Sequence, residues 1–350
     1  MKTLFWRIGS DKAGTVSLAD FVQNNCDLLK SHGILTCSRN SIGIIDYFIR
    51  LNSLDAINVF DSHKYYFNNN NRKKLDDDFL QNYDTHELND IFLTTETLWG
   101  RLTRLNLTKR NVYENVKILL QSFINFFSHH KIKIIVHIRR ADIYIESLYS
   151  QYVKRGGKKD ILSFISNNNI SSIIINSQIF FKLLSNIFGV ENIIIRQFDI
   201  NKFVNNDLID DLLSILSRSN LCDIVKKGIS NERLHRLLID ILPYMNNKYG
   251  KLFSSSELIS YSKKIESEIG IADCKYILDY ALRNELIKQY CEFYDTVNNI
   301  LGECALSFTL ETYDDYFVRS YTLEQQSALI SWLLCKAQEM GRLNLPARGR

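Results

Sequence analysis

Trp6-Arg7-Ile8-Gly9-Ser10-Asp11-Lys12-Ala13-Gly14-Thr15-Val16-Ser17-Leu18 decides how the rest of this chain is read. It follows the apolar residues Leu4 and Phe5 and opens into an amphipathic segment in which Leu18, Phe21, Val22, Asn25 and Leu29 share one stripe. That order predicts a buried strand over 3–9, a tight glycine loop and a helix over 15–30. Such a loop turns several backbone N–H groups toward one point, and the helix dipole adds partial positive charge there. Lys12 adds a full charge. The product is an anion pocket of a size for a phosphate or a sulfate. Its candidate contacts are Gly9, Lys12, Ala13, Gly14, Thr15, Val16 and Ser17.

Outward from this loop, the clearest strand is Lys131 to Ile138, with Ile132, Ile134, Ile135, Val136 and Ile138. A near-continuous β-branched run suits a parallel strand covered on both faces. It leads into Arg139-Arg140 and a helix from about Asp142 to Lys154, with Ile145, Leu148, Tyr149 and Tyr152 on its core face. His137, within the strand, reads as a packed or hydrogen-bonded core histidine. Shorter apolar runs at 91–93 and 192–198 alternate with helical patterns at 110–128 and 177–188. Strands alternating with helices predict an α/β fold with a parallel sheet flanked by helices. Beyond 205 the pattern is helical, and Pro243 is expected to end or kink the helix that holds it. The expected organisation is an α/β core over 1–204, a helical region over 205–340 and a flexible tail over 341–350. The polar stretch 61–90 reads as a surface loop or insert.

Composition bounds the function. Hydrophobic residues are 45% of the 350 and charged residues 23%, which supports a packed core and excludes global disorder. A net charge of only +4 gives no reason to invoke nucleic-acid binding. The seven cysteines form no CxxC pair and no Cys/His cluster. They read as reduced thiols, mostly buried as small hydrophobes, in a cytoplasmic protein with no metal site. No transmembrane segment is expected, and the N-terminus reaches Arg7 too soon for a signal peptide.

A Walker A loop reads G-x-x-x-x-G-K-[ST]. Gly9 and Gly14 have its spacing, but Thr15 stands where the lysine belongs, and Lys12 lies two residues before the second glycine. This weighs against a P-loop nucleotide kinase-like enzyme, which would also carry a Mg²⁺-binding aspartate. Open parallel sheets bind ligands at the carboxyl ends of their strands. Three candidates fall there: the Gly9–Ser17 loop, Glu96 after the run at 91–93, and Arg139 with Ser147. Taken singly, each has an ordinary reading as a turn, a solvated carboxylate or a surface ion pair.

Taken together, they resemble the sulfotransferases that use 3′-phosphoadenosine 5′-phosphosulfate. Gly9-x-x-Lys12-x-Gly14-Thr15-x-Ser17-Leu18 is similar to the family loop G-x-x-K-[ST]-G-T-[ST]-x-L, which cradles the 5′-phosphosulfate. Arg139 and Ser147, eight residues apart, are similar to the arginine and serine of R-[DR]-P-x-x-R-x-x-S-x-Y, which hold the 3′-phosphate. Thr94-Thr95-Glu96, Phe188 to Asn192 and Ile193 to Arg196 match the order seen in bacterial, glycan-modifying members. The resemblance covers roughly residues 3–200 and departs from the pattern at Ala13, Val16, Ala141 and Tyr144.

The resemblance implies a P-loop sulfotransferase fold and transfer of a sulfuryl group to a hydroxyl or amine of a carbohydrate, such as a capsular or lipid-linked glycan. The product would be adenosine 3′,5′-bisphosphate, and no metal would be required. Lys12 would meet the bridging oxygen, and Glu96 would take the acceptor proton, with His63 and His86 as competitors. The stretch 61–74, basic and aromatic with Lys64 to Phe67 and Arg72 to Lys74, is a candidate lining for the acceptor cleft. Lys226-Lys227-Gly228 is similar to a downstream basic-glycine motif of the family. The altered residues Ala13 and Val16 leave open a degenerate relative that binds without transfer.

Overall fold

The computed structural model describes residues 2–9, 15–36, 45, 48, 90–95, 98–167, 170–221, 224–226, 234–273, 277–302, 305–308 and 321–343. It is an α/β structure built on a five-stranded, all-parallel sheet flanked by helices. The strands are β1 (Lys2–Ile8), β2 (Ile34–Thr36), β3 (Asp90–Thr95), β4 (His130–Ile138) and β5 (Ile193–Gln197), in the order β2-β3-β1-β4-β5. Every pairing is parallel, with Ile8 opposite Thr95 and Arg7 opposite Ile135. The central place of β1 explains its composition. Covered on both faces, it can be apolar at every position except where a polar partner waits.

Alternate residues of β1 serve two helical layers. Trp6 stacks on Phe123 of α3 (Arg110–Phe126) with ring centroids 3.8 Å apart, and meets Phe188 of α6 (Ile170–Phe188) edge-on. An aromatic pair of this kind adds about 1 kcal/mol beyond the area it buries. Phe5 faces the other way, into a cluster with Leu18, Phe21, Val22 and Leu29 of α1 (Thr15–Ser31) and Ile209, Leu212 and Leu213 of α7 (Leu208–Ile215). The stripe read from the sequence is therefore the buried face of α1. Asn25 departs from helical geometry within it and turns its amide to Val225, donating to the carbonyl at 3.1 Å and accepting the N–H at 2.9 Å.

The chain divides into two compact units: Met1–Arg140, Ser171–Ser230 and Gln289–Phe308 form the sheet unit; Ala141–Ile170, Asn231–Lys288 and Thr309–Arg350 form a helical one. The boundary expected at 204 does not follow this division. Packing decides it: α7 buries Leu212 and Leu213 beneath the sheet, whereas α4 (Ala141–Lys154) buries Tyr149 and Val153 in the other core. That second core is filled by α5 (Ile161–Asn167), α8 (Arg236–Tyr249), α9 (Ser255–Ile269) and α11 (Leu323–Glu339). The long helix α10 (Tyr280–Leu301) contributes to both units. Two capping boxes start helices here, Ser254 with Glu257 for α9 and Thr322 with Gln325 for α11. Each satisfies backbone N–H groups that the first turn leaves open.

Other expectations are corrected by the same packing. Pro243 does not end its helix; α8 runs on to Tyr249 with Pro243 buried inside it. The helix expected near 177 starts at Ile170, and at 19 residues α6 is by length and composition long and apolar enough to cross a membrane. Half of its most apolar window is buried in the structure, and Asn176 on it binds Leu107 N–H and Thr103 carbonyl at 3.1 and 2.9 Å. Cys26, Cys291 and Cys335 are exposed rather than buried. In the segment expected as a flexible tail, Arg342 is anchored by a two-pronged pair to Glu257 at 2.7 and 2.9 Å. Residues 344–350 lie outside the described residues.

Candidate functional site

The end of β1 is pinned by β3. Gly9 donates its N–H to the Thr95 carbonyl at 2.9 Å and accepts Trp99 N–H from α2 (Leu98–Leu102) at 3.0 Å. The Thr95 hydroxyl accepts from the Trp6 indole at 3.1 Å and donates to the Arg7 carbonyl at 3.2 Å. Gly9 is thus fixed at the carboxyl edge of the sheet, and α1 begins at Thr15, so Thr15, Val16 and Ser17 form its first turn. A strand end at Gly9 and a helix N-terminus at Thr15 thus follow one another in the order the sequence indicates. Lys12, Ala13 and Gly14 fall between these fixed ends and lie outside the described residues. So do Glu96, which follows Thr95 directly, and the histidines His63 and His86.

Arg139 follows the last residue of β4, the strand next to β1. Its guanidinium lies 5.5 Å from the Phe198 ring centroid, and Phe198 is tied to the end of β4 through its N–H on the Ile138 carbonyl. The strand order makes this edge special. From β1 the chain passes to β2 and β3 on one side, then crosses to β4 and β5 on the other. Ligands of open α/β sheets bind outside the carboxyl ends at such a reversal. Gly9 and Arg139 therefore end the two neighbouring strands that flank it. Ser147 is half-buried on α4, in the helical unit.

Directly beneath the edge lies a polar chain that sequence reasoning missed. Arg7 is fully buried; it donates to His137 Nδ1 at 3.3 Å and to the Thr94 hydroxyl at 3.4 Å. A guanidinium only donates, so Nδ1 of His137 accepts and its proton sits on Nε2. Nε2 faces the Asp211 carboxylate of α7 at 3.9 Å, and Arg196 approaches the same carboxylate at 3.6 Å. Burial pushes the imidazole pKa from 6.5 to about 4, with Arg7 adding to the fall and Asp211 opposing it. His137 is a hydrogen-bonded core residue, as its place in the strand indicates. The available signal was a polar residue at a buried strand position, Arg7 in β1 and His137 in β4.

This chain sets a pH dependence. The unfolded histidine takes a proton near pH 6.5, while the folded one stays neutral down to about 4. Stability is therefore lost as pH falls through that interval, by about 3 kcal/mol from this group. Denaturant titrations at pH 7 and pH 4.5 should show a smaller loss in His137→Gln than in wild type. Glu146, whose carboxyl is raised by burial, acts in the opposite sense in both proteins and drops out of the difference. Equal losses would remove His137 from the acid response.

A second buried charge cluster belongs to the helical unit. Arg283 pairs with Asp142, and both side chains are fully buried. Glu146 lies 3.8 Å from Arg283 and accepts the N–H groups of Ile277 and Leu278, both at 2.8 Å. Elsewhere Lys226 is committed to Asp210 and Asp207 at 2.6 and 3.4 Å, which occupies the one described residue of the basic-glycine motif. Among the described residues, no group of three or more His, Cys, Asp or Glu could hold a metal ion. No family model, curated protein or solved structure matches the chain.

Proposed function

We propose that the protein is a sulfotransferase that moves a sulfuryl group from 3′-phosphoadenosine 5′-phosphosulfate to a carbohydrate hydroxyl or amine, such as one on a bacterial surface glycan. The observation that carries this reading is Gly9 and Arg139 at the carboxyl ends of neighbouring strands, where the sheet order reverses, with the N-terminus of α1 following Gly9. One anion at the loop and a second at Arg139 describe a donor with phosphates at both ends of a nucleoside. Arginine suits the second, because its planar fork bonds two phosphate oxygens.

In this reading the amides of the first turn of α1, with Thr15 and Ser17, hold the 5′ end. Arg139 holds the 3′-phosphate. The acceptor oxygen attacks sulfur in line; its bond to sulfur forms as the bond from sulfur to the bridging phosphate oxygen breaks. Glu96 takes the acceptor proton, and Lys12 meets the negative charge that grows on the bridging oxygen. The polar chain beneath β1 and β4 holds both strand ends in one arrangement, which alignment of this kind requires.

Thermal-shift titration tests the reading. Adenosine 3′,5′-bisphosphate at a hundred times its dissociation constant should stabilise the protein by about 3 kcal/mol, and ATP with Mg²⁺ should give no shift. The reverse pattern would identify a nucleoside-triphosphate enzyme and overturn the proposal. Stabilisation without sulfuryl transfer to any acceptor would point to the degenerate binding protein instead.

A further inference from the structure

The segment Arg155-Gly156-Gly157-Lys158-Lys159 closes α4, and its shape is dictated from within. Gly156 has φ +98, and a Cβ on Gly157 would lie 2.2 Å from the Tyr152 ring, so neither position accepts a side chain. The Tyr152 hydroxyl accepts the N–H groups of Lys158 and Lys159 at 3.0 and 3.1 Å. The buried amide of Asn246 on α8 donates to the Val153 and Gly157 carbonyls at 3.1 and 2.9 Å. Asp160 then caps α5 through Ser163 N–H at 2.8 Å. The backbone is held on both sides, and Arg155, Lys158 and Lys159 are left exposed to solvent.

Two further cations join them. Lys251 runs alongside, its Cβ 3.3 Å from where a Cβ of residue 156 would stand. Lys248 lies three residues earlier, its ammonium 5.3 Å from the Tyr249 ring centroid. All five side chains are exposed, and none forms an ion pair among the described residues. Counted with the exposed Asp160, this patch carries a formal charge equal to the +4 of the whole chain. Beside it, in the first turn of α5, Leu162 is 63% exposed.

We propose that this patch docks the protein on an anionic phospholipid bilayer. Four of the five cations are lysines, mobile and hydrated point charges that suit a diffuse array of headgroups better than one fixed oxyanion. Each cation near such a surface strengthens binding roughly fivefold. Leu162 supplies an apolar contact of the kind that interfacial segments press into the acyl boundary. An acidic polysaccharide would call for an aromatic platform in the loop itself, whereas the exposed Tyr244 is on α8 with the Lys248 ammonium over its ring. Tyr152 is spent inward, its ring 5.1 Å from Phe164 and its hydroxyl on the two lysine amides. The proposal is independent of the sulfuryl-transfer chemistry.

Vesicle sedimentation with the full chain tests it, at about 0.1 M salt where surface charge is still felt. Vesicles of phosphatidylcholine alone should leave the protein in solution. Vesicles with roughly a third phosphatidylserine should sediment it. The variant Lys158→Gln/Lys159→Gln/Lys251→Gln should bind about a hundredfold more weakly, from a few-fold per cation, with an unchanged thermal midpoint. Leu162→Ser should weaken binding without altering its salt dependence. Equal sedimentation with neutral vesicles, or full binding by the triple variant, overturns the proposal. So does retention on an immobilised acidic polysaccharide with no sedimentation on either vesicle.

Discussion

Lys12→Ala is expected to lower sulfuryl transfer by about a thousandfold, the upper range for removing one preorganised donor at a developing charge. Far-UV circular dichroism and the thermal midpoint should not move. The two halves of this expectation have different grounds. The loss of rate follows from where charge appears: the bridging oxygen gains negative charge only as the bond to sulfur breaks, so a cation placed there favours the transition state over bound donor. The intact fold follows from what fixes the strand end and the helix start on either side of Lys12. Gly9 is bonded on one side to Thr95 and on the other to Trp99, and α1 starts at Thr15 with its stripe buried under the sheet. Affinity for adenosine 3′,5′-bisphosphate should fall far less than turnover. Wild-type turnover in the variant would remove this lysine from the mechanism, and equal losses of rate and affinity would make it a binding residue.

The sheet was legible because its strands advertise themselves. The β-branched run of β4 and the apolar start of β1 can only be buried on both faces. The strand end at Gly9 and the helix start at Thr15 were legible for a local reason too, since they lie close together in the sequence. What joins the strand ends was not legible. Arg7 finds Thr94 and His137, which are 87 and 130 residues away, and no local pattern names a partner at that separation. Thr94 and Thr95 stand in the sequence only as part of the Thr94-Thr95-Glu96 match, yet their hydroxyls bind Arg7 and Trp6. The division into units failed in a related way. Helical periodicity shows that α4 and α7 are helices with an apolar face; it does not say which of two cores receives that face.

The same limit hid the cluster on which the largest stability effect rests. Arg283→Met is expected to destabilise the protein by about 3–5 kcal/mol, the usual cost of stripping one partner from a buried ion pair. Arg283 and Asp142 are both fully buried, so water cannot replace the lost guanidinium. Glu146 adds to the effect. Burial already pushes its carboxyl up, and Arg283 is one of the groups that pull it back. Without the arginine it rises further, and the folded state is penalised more as pH climbs above the ordinary carboxylate value of 4.5. The variant should therefore lose most stability near neutrality and recover part of it in mild acid. Adding Asp142→Asn to Arg283→Met should restore some stability at pH 7, since it removes the stranded charge. Urea titrations of the three proteins at two pH values read all of this. A single variant within about 0.5 kcal/mol of wild type, the range of an ordinary surface change, would mean that the pair contributes nothing net. Asp142 and Glu146 together fasten the first half of α4 to the segment 277–283.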